Sequence, residues 1–245
     1  VYVNDLDGNL VFDAAGDPVF DLGFGYPEYN ILNRPYSAGR HGVAELLYND
    51  EFNRDNTYGF RYYAQFKLLE GLKLSLNYGQ DINEGLNKSY ENNIVGDGAP
   101  TGRYGETRFR RKTSNFNQLL TYNKTFNDVH NIDLTLGHES FDRHYSENNG
   151  LATTQVAVGI FEFDNFSVPV RLGGYSSEKK TEGYLARLNY NFDNKYCFIS
   201  LARRYASSVF SIDVRWGNFY SFLLYTSHSA ADIHCVFFCG ALVCL

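Results

Sequence analysis

Six stretches of the sequence alternate apolar and polar residues, and short turns join them in pairs. In the first pair, every second residue from Tyr58 to Leu68 is apolar, and Leu72 to Tyr78 repeats the pattern on the return. A period of two places successive side chains on opposite faces of a β-strand. The pattern therefore predicts antiparallel hairpins with one apolar and one polar face.

The length of these runs separates them from ordinary strands. Strands of soluble proteins average about 5–6 residues, whereas a tilted strand needs about 9–11 residues to cross a bilayer. The first run, 58–68, and the later runs 114–126 and 183–192 reach that length. The runs are therefore long enough to be membrane-spanning strands.

Two further hairpins repeat the plan. Residues 114–126 lead to a turn at Asn127–Asp128, and residues 183–192 lead to a turn at Asp193–Asn194. Asp and Asn tolerate the left-handed backbone conformation that tight turns require. With the first turn near Glu70, we expect all three turns at one end of the sheet and long loops at the other, as in outer-membrane β-barrels. The expected fold is all-β, an antiparallel meander of about six long strands.

Composition favours a membrane barrel. Aromatic residues make up 17% of the chain, with 20 Tyr and 20 Phe, and such residues form the interfacial girdles of membrane barrels. A soluble carbohydrate-binding β-sandwich with an aromatic core is the alternative. The sequence contains no run of about 18 apolar residues, so no membrane-spanning helix is predicted. A net charge of −6 makes nucleic acid an unfavourable partner.

Alternation also predicts which side chains meet lipid. The apolar set is Tyr62, Phe66, Leu74, Leu76, Leu134 and Leu188. The set expected to face the lumen is Arg61, Gln65, Ser75, Asp133, Arg187 and Asn189.

The segments 1–50, 80–112 and 142–181 are expected to be long loops that determine specificity, since they exceed ordinary connections. Asp5, Asp7 and Asn9 have the alternate spacing of a calcium loop, but the Gly and Glu of an EF-hand are absent. A plain hairpin turn at Asp7-Gly8 is the favoured interpretation, and calcium the alternative.

A basic cluster precedes the third strand, and no catalytic motif accompanies it. The cluster comprises Arg108, Arg110, Arg111 and Lys112. One interpretation is that it attracts anionic solutes or lipopolysaccharide; the simpler interpretation is that these charges lie at the solvated base of a loop. His138 and His144 match no metal motif. We therefore expect no enzymatic activity, cofactor or metal.

The end of the chain differs in composition from the rest. Residues 222–245 contain no Lys or Arg, and Cys235, Cys239 and Cys244 crowd into a stretch without alternation. We expect this segment to be a non-native tail that fails to extend the meander and gives its cysteines no disulfide or metal role. The natural barrel portion would then be residues 1–221.

Several motifs carry a family resemblance. Residues 68–74 resemble a leucine-rich turn motif, and residues 185–196 a hairpin ending in Asp-Asn-Lys-Tyr. The most specific matches follow this hairpin: Arg203, Arg204, Ser207, Ser208, Phe210, Arg215, Trp216, Gly217 and Phe219. Tyr205, Ala206 and Val209 depart from the motif. Together these residues resemble the SusC/RagA-like TonB-dependent outer-membrane transporters.

The resemblance implies a location, a function and partners. Members of that family have an N-terminal plug inside a 22-stranded barrel of the cell outer membrane. They take up glycans or peptides, driven by TonB, with a SusD-like surface lipoprotein as partner. The chain starts without Met, signal peptide, plug or TonB box, so we expect a slice of the barrel. A passive porin-type barrel is the other membrane alternative.

Overall fold

The computed structural model describes residues 2–228 and 232–243, with side chains for residues 2–226. In this described part, eight strands form one antiparallel sheet in the order β1 to β8. Every strand pairs with its neighbours in the sequence, and β1 does not pair with β8, so the sheet is an open meander. The predicted all-β meander is confirmed, with eight strands instead of about six.

The first five strands are longer than the sequence predicted. The strands are β1 (Asp50–Leu69), β2 (Leu72–Glu91), β3 (Arg103–Phe126), β4 (His130–Gln155), β5 (Phe166–Phe192), β6 (Tyr196–Ser207), β7 (Trp216–His228) and β8 (Asp232–Val243). A helix α1 (Gly42–Tyr48) precedes β1, and short 3-10 helices lie at Pro27–Tyr29, Phe163–Asn165 and Ile212–Val214. None of the helices in the described residues has the length and apolar character needed to cross a membrane.

The three predicted turns are present. Asn127 and Asp128 both have positive φ, as do Asp193 and Asn194, which is the conformation of a type I′ hairpin turn. Gly71 supplies a φ of +76° in the first turn. Because successive strands are antiparallel, these turns share one end of the strands, as expected.

The expectation of long loops at 80–112 and 142–181 is wrong in its extent. Most of these residues continue β2, β3, β4 and β5, leaving connections of residues 92–102 and 156–165. The start of β5 does alternate, with apolar Phe166, Val168, Val170 and Leu172. Residues 146–149 of β4 and 176–182 of β5, by contrast, are polar on both faces, so they lack the alternation that marked the rest of each strand. Backbone pairing with adjacent strands forms the sheet there without such a pattern.

The chain divides into two compact units. The first comprises residues 1–56, 84–109 and 146–175, close to the three segments from which we expected specificity. The second comprises residues 57–83, 110–145 and 176–245, and contains the three tight turns. Strands β1 to β5 contribute residues to both.

In the second unit, the register of β5, β6 and β7 defines two faces. Leu188 pairs with Ser200, which pairs with Phe222, and Tyr190 pairs with Phe198, which pairs with Leu224. Directly paired residues lie on the same face of a sheet. This face, which also carries Tyr184, Ala186, Phe192, Tyr196, Ala202, Trp216 and Tyr220, is predominantly apolar.

The expectation that residues from about Phe222 fail to extend the meander is wrong. β7 runs on to His228 and pairs in continuous register with β8, from Gly217 with Val243 to His228 with Asp232. Backbone hydrogen bonds form this pairing whatever the side-chain pattern. The non-native origin of 222–245 stays a prediction. The side chains of Cys235 and Cys239, and all of Cys244, lie outside the described residues.

We expect Gly71→Ala to destabilise the full-length parent barrel by about 1–3 kcal/mol, because a strained backbone and a clash add together. A Cβ at Gly71 would collide with the carbonyl oxygen of Asn123, whose own N–H donates to Gly71 O at 2.8 Å. Gly8→Ala is the control, since Gly8 also has positive φ but open space around it. Urea unfolding in phospholipid bilayers measures both. Equal losses for the two variants would contradict the role assigned to packing at the first turn.

Candidate functional site

The N-terminal segment folds as two tight turns joining three short extended pieces. Tyr2 bridges to Phe20, Asn4 to Leu10, and Phe12 to Pro18. The Asp5 carboxylate accepts the backbone N–H groups of Asp7 at 3.0 Å and Asn9 at 2.8 Å, and these bonds hold the pKa of Asp5 below its ordinary value. The carboxylate is therefore engaged as a turn cap, which favours the predicted hairpin turn over the calcium alternative.

A second repeat of the same chemistry follows eight residues later. Asp13 Oδ1 accepts the N–H groups of Ala15 and Asp17, each at 2.9 Å, and Gly16 has a φ of +89°. Phe20, at the end of this segment, packs with Ala44 of α1 and with Val95 in a buried cluster. The cluster fixes the N-terminal segment and α1 against the connection between β2 and β3.

An aromatic cluster is the main core of the first unit. It contains Tyr90, Tyr104, Ala152 and Phe166, and Phe161 and Phe163 pack against it. Tyr104 is fully buried, with its ring centroid 5.4 Å from Phe166 and 4.9 Å from Phe163. The connection between β4 and β5 is thereby fastened onto the strands by its own aromatic side chains.

A cavity of about 540 Å³ lies beside this cluster. The aromatic and apolar part of its lining consists of Phe52, Leu86, Tyr90, Tyr104 and Phe161. The charged part consists of Asp50, Arg54, Lys88, Arg108 and Glu162. Small-molecule sites combine an apolar lining with a few oriented polar groups and have volumes of about 300–1,000 Å³. The cavity is therefore the strongest candidate ligand site in the first unit.

Ion pairs order the charged side of this cavity. Lys88 Nζ lies 2.7 Å from Glu162 Oε1 and 3.9 Å from Glu106 Oε2. Glu106 also pairs with Arg108 and accepts the Tyr104 hydroxyl at 2.9 Å. Burial alone would raise the pKa of Glu106, but these hydrogen bonds and the nearby positive charges lower it below its ordinary value. Burial raises the pKa of Tyr104, so its hydroxyl stays a donor.

In the second unit, the family-motif residues build the connection from β6 to β7. Arg204 lies over the Trp216 ring at 4.6 Å, a cation–π geometry, and Tyr184 stacks on the same ring with centroids 6.1 Å apart. Arg203, on the other face, donates to Glu139 Oε2 at 2.6 Å. The two adjacent arginines of the motif therefore have separate structural roles.

The serines of the motif tie this connection to β5. Ser208 N donates to Lys180 O at 2.8 Å, and Ser208 Oγ accepts the Lys180 N–H at 2.9 Å. Ser207 N donates to Arg215 O at 3.3 Å, which closes the connection on itself. Phe210 and Phe219 are exposed, and Gly217 pairs with Tyr205 in the sheet. Motif residues Ser207, Ser208, Arg215 and Trp216 line a second cavity of about 270 Å³.

Polar residues expected in the lumen contact one another. Gln65 Nε2 donates to Ser75 Oγ at 3.4 Å, and Arg187 Nε donates to Asn189 Oδ1 at 3.2 Å. Arg61 donates to both carboxylate oxygens of Asp81 at 2.8 Å.

The set expected to meet lipid is partly exposed. Tyr62 stacks with Tyr78, and 64% of its surface is exposed. Phe66 is also exposed, and Leu74, Leu76, Leu134 and Leu188 are half-buried. Their contact with lipid stays a prediction.

The simpler interpretation, that the basic cluster lies at the base of a solvated loop, is wrong. The four residues of the cluster are part of β3, because the strand begins at Arg103. Arg111 lies over the Tyr145 ring at 5.6 Å, and Arg108 pairs with Glu106. His138 Nε2 lies 3.2 Å from Glu182 Oε1, and His144 Nδ1 lies 3.3 Å from Glu178 Oε1. In the described residues, no group of three His, Cys, Asp or Glu side chains forms a metal site.

Sequence reasoning missed the aromatic cluster and its cavity. Tyr90, Tyr104 and Phe166 lie in segments interpreted as loops, although every second residue from Phe166 to Leu172 is apolar and so indicates a strand. The closely spaced Phe161 and Phe163 in an otherwise polar stretch were the available signal. Aromatic residues concentrated in a predicted loop indicate that the loop packs against the strands beside it.

No family model matches the chain. Three curated proteins are similar in sequence. TonB-dependent receptor P3 of Formosa agariphila is 24% identical over 89% of this chain and 20% of its own length. TonB-dependent receptor SusC of Bacteroides thetaiotaomicron is 26% identical over 82% of this chain and 20% of its own length. TonB-dependent receptor P39 of Formosa agariphila is 29% identical over 72% and 17%. The chain spans about a fifth of the length of these relatives.

Solved structures show the same fold. The RagAB peptide transporter matches 88% of this chain and 24% of its own chain, with a TM-score of 0.69 and 20% identity. The RagAB peptide importer in its open-open state matches with a TM-score of 0.68 at 20% identity, over 88% and 23%. The resemblance to SusC/RagA-like TonB-dependent transporters, inferred from the motifs, is thus confirmed.

Proposed function

We propose that the full-length parent of this chain, a SusC/RagA-like TonB-dependent transporter, imports glycans or peptides through the cell outer membrane. In this proposal the chain itself supplies barrel wall and external binding surface and catalyses no reaction. The observation that carries the proposal is the meander of long antiparallel strands with three tight turns at one end. An open sheet leaves unpaired edges that a bilayer does not tolerate, so transport requires the rest of the parent.

The two alternatives make different predictions about the sheet. A soluble β-sandwich requires two sheets packed face to face, whereas the strands of the described residues form one. A passive porin shares the hairpins. The sequence relatives, however, are named as TonB-dependent receptors, which favours energy-coupled import.

The proposal assigns separate partners to separate surfaces. The apolar face of β5 to β7 contacts outer-membrane lipid, and the parent's missing segments engage TonB. A SusD-like surface lipoprotein lies over the extracellular side. The 540 Å³ cavity of the first unit suits a polar ligand, because aromatic, acidic and basic side chains all line it.

Uptake by the source bacterium tests this function. Deleting the parent gene should abolish uptake of a fluorescently labelled oligosaccharide or peptide mixture that wild-type cells import. Because TonB-coupled import needs the proton-motive force, a protonophore should also abolish uptake by wild-type cells. Uptake that depends on the gene but survives the protonophore would support a passive porin and overturn the proposal.

A further inference from the structure

The second cavity, built by the most specific motif residues, has no part in the function proposed above. It lies among β4, β5 and the connection from β6 to β7, and its volume is about 270 Å³. Its polar lining includes Lys180, Arg215, Ser140, Thr181, Asp142 and Glu182. Two cations, the Ser140 hydroxyl group and two carboxylates therefore face a common space, while Thr181 accepts the Tyr205 hydroxyl on the opposite face of β5.

Arg215 is the member of this set whose hydrogen-bonding capacity is not satisfied within the described residues. Its Nε is buried and has no hydrogen-bond partner among the described residues. A buried donor without a partner is costly, so a structure that retains one has a use for it or a ligand that satisfies it. The guanidinium fork suits planar recognition of phosphate or carboxylate oxygens.

The carboxylates of the cavity already have side-chain partners in or beside it. Glu182 accepts the Tyr184 hydroxyl at 2.6 Å and contacts His138 Nε2 at 3.2 Å. Lys180 Nζ lies 3.8 Å from Asp142 and 3.6 Å from Glu178. These exposed pairs are weak, so Lys180 can exchange a carboxylate for an incoming anion at small cost.

The position of the cavity along β5 fixes the source of that anion. Glu182 precedes Phe192, the last residue before the turn, by ten residues of continuous pairing with β6. Ten residues extend about 33 Å, or about 25 Å across the membrane at a tilt of about 40°, the height of the apolar band of an outer-membrane barrel. The cavity therefore lies at the outer end of that band.

The residues between the turn and the cavity agree with this position. Tyr190, Phe192, Tyr196 and Phe198 lie near the turn, and Tyr184 and Trp216 lie beside the cavity, all on one face. Aromatic girdles mark both interfaces of membrane barrels. Since short turns are periplasmic in such barrels, the cavity opens at the level of the outer-leaflet headgroups.

We propose that this cavity binds the phosphorylated sugar headgroup of an outer-leaflet glycolipid. The phosphate binds Arg215 and Lys180, and the sugar hydroxyl groups bind Ser140, Asp142 and Glu182. Tyr184 and Trp216 contact the start of the acyl chains. The proposal rests on the outer-membrane location proposed above, but it does not depend on what the parent transports.

Lipid binding to the purified full-length parent tests the site. Native mass spectrometry in detergent, with phosphorylated lipid A as the probe, should show bound lipid, reduced at least tenfold by Arg215→Gln or by Lys180→Gln. Lys179→Gln is the matched control, because Lys179 is the exposed neighbour on the opposite face of β5 and should bind normally. Heat-dependent gel migration identifies correctly folded variants. If Arg215→Gln fails to fold, Lys180→Gln still decides.

Two further probes distinguish the source of the phosphate. Dephosphorylated lipid A should bind at least tenfold more weakly, and millimolar inorganic phosphate should not displace the phosphorylated lipid. Equal binding of the dephosphorylated lipid, full displacement by inorganic phosphate, or unchanged binding in both cavity variants would overturn the proposal. Loss of lipid binding with substrate uptake intact would support the site independently of the transport function.

Discussion

Leu76→Arg is expected to destabilise the full-length parent barrel by about 2–4 kcal/mol, the cost of a charged side chain on the lipid face near the bilayer midplane. Leu76 is the fifth residue after Gly71, which places it about 16 Å along the strand from the turn. Leu74→Arg lies closer to the turn, where the side chain can reach the interface, and should cost less. The free energy of unfolding in phospholipid bilayers, from urea titration, measures both.

Ser75→Arg is the matched control for this series. Ser75 lies between the two leucines in sequence but on the opposite face, where its hydroxyl accepts a hydrogen bond from Gln65. A water-filled or polar lumen accommodates arginine at small cost. A loss for Ser75→Arg equal to that for Leu76→Arg would show that the faces of β2 have been assigned wrongly.

The hairpins could be predicted from sequence because their determinants are local. Alternation over ten residues fixes which face is apolar, and the pairs Asn127–Asp128 and Asp193–Asn194 carry the chemistry of a type I′ turn. Neither feature requires knowledge of distant residues. Both the turns and the sheet topology agree with the prediction.

The outer portions of the strands could not be predicted in this way. Residues 146–149 of β4 and 176–182 of β5 are polar at every position, so they carry no periodic signal. The sheet continues there because neighbouring backbones continue to pair, which is a non-local interaction. The same reason explains why β7 and β8 pair despite the lost alternation of the tail.

The two cavities show the same division between local and non-local information. Motif residues Arg215 and Trp216 were identified from sequence, but Lys180 and Ser140, which share their cavity, lie on other strands. The cavity of the first unit combines residues of β1, β2 and β3 with the connection after β4. Only the register of the sheet brings such residues together.

Tyr104→Ala is expected to have the largest effect in the first unit, a local loss of about 3–5 kcal/mol, since it removes a buried aromatic ring. Tyr104 is fully buried between Phe163 and Phe166. Without it, the connection of residues 156–165 loses its main attachment to β3. Hydrogen exchange of the folded parent should show faster exchange of the amides in that connection, with the membrane-spanning strands unchanged.

Tyr104→Phe separates the contribution of the ring from that of the hydroxyl. The Phe variant keeps the stacking but leaves Glu106 without the hydrogen bond at 2.9 Å, so we expect a smaller loss of about 1 kcal/mol. If the two variants accelerate exchange equally, the hydroxyl bond to Glu106 fastens the connection and the ring does not. If neither accelerates it, residues 156–165 are held by contacts other than the aromatic cluster, and the cavity beside Tyr104 does not depend on this core.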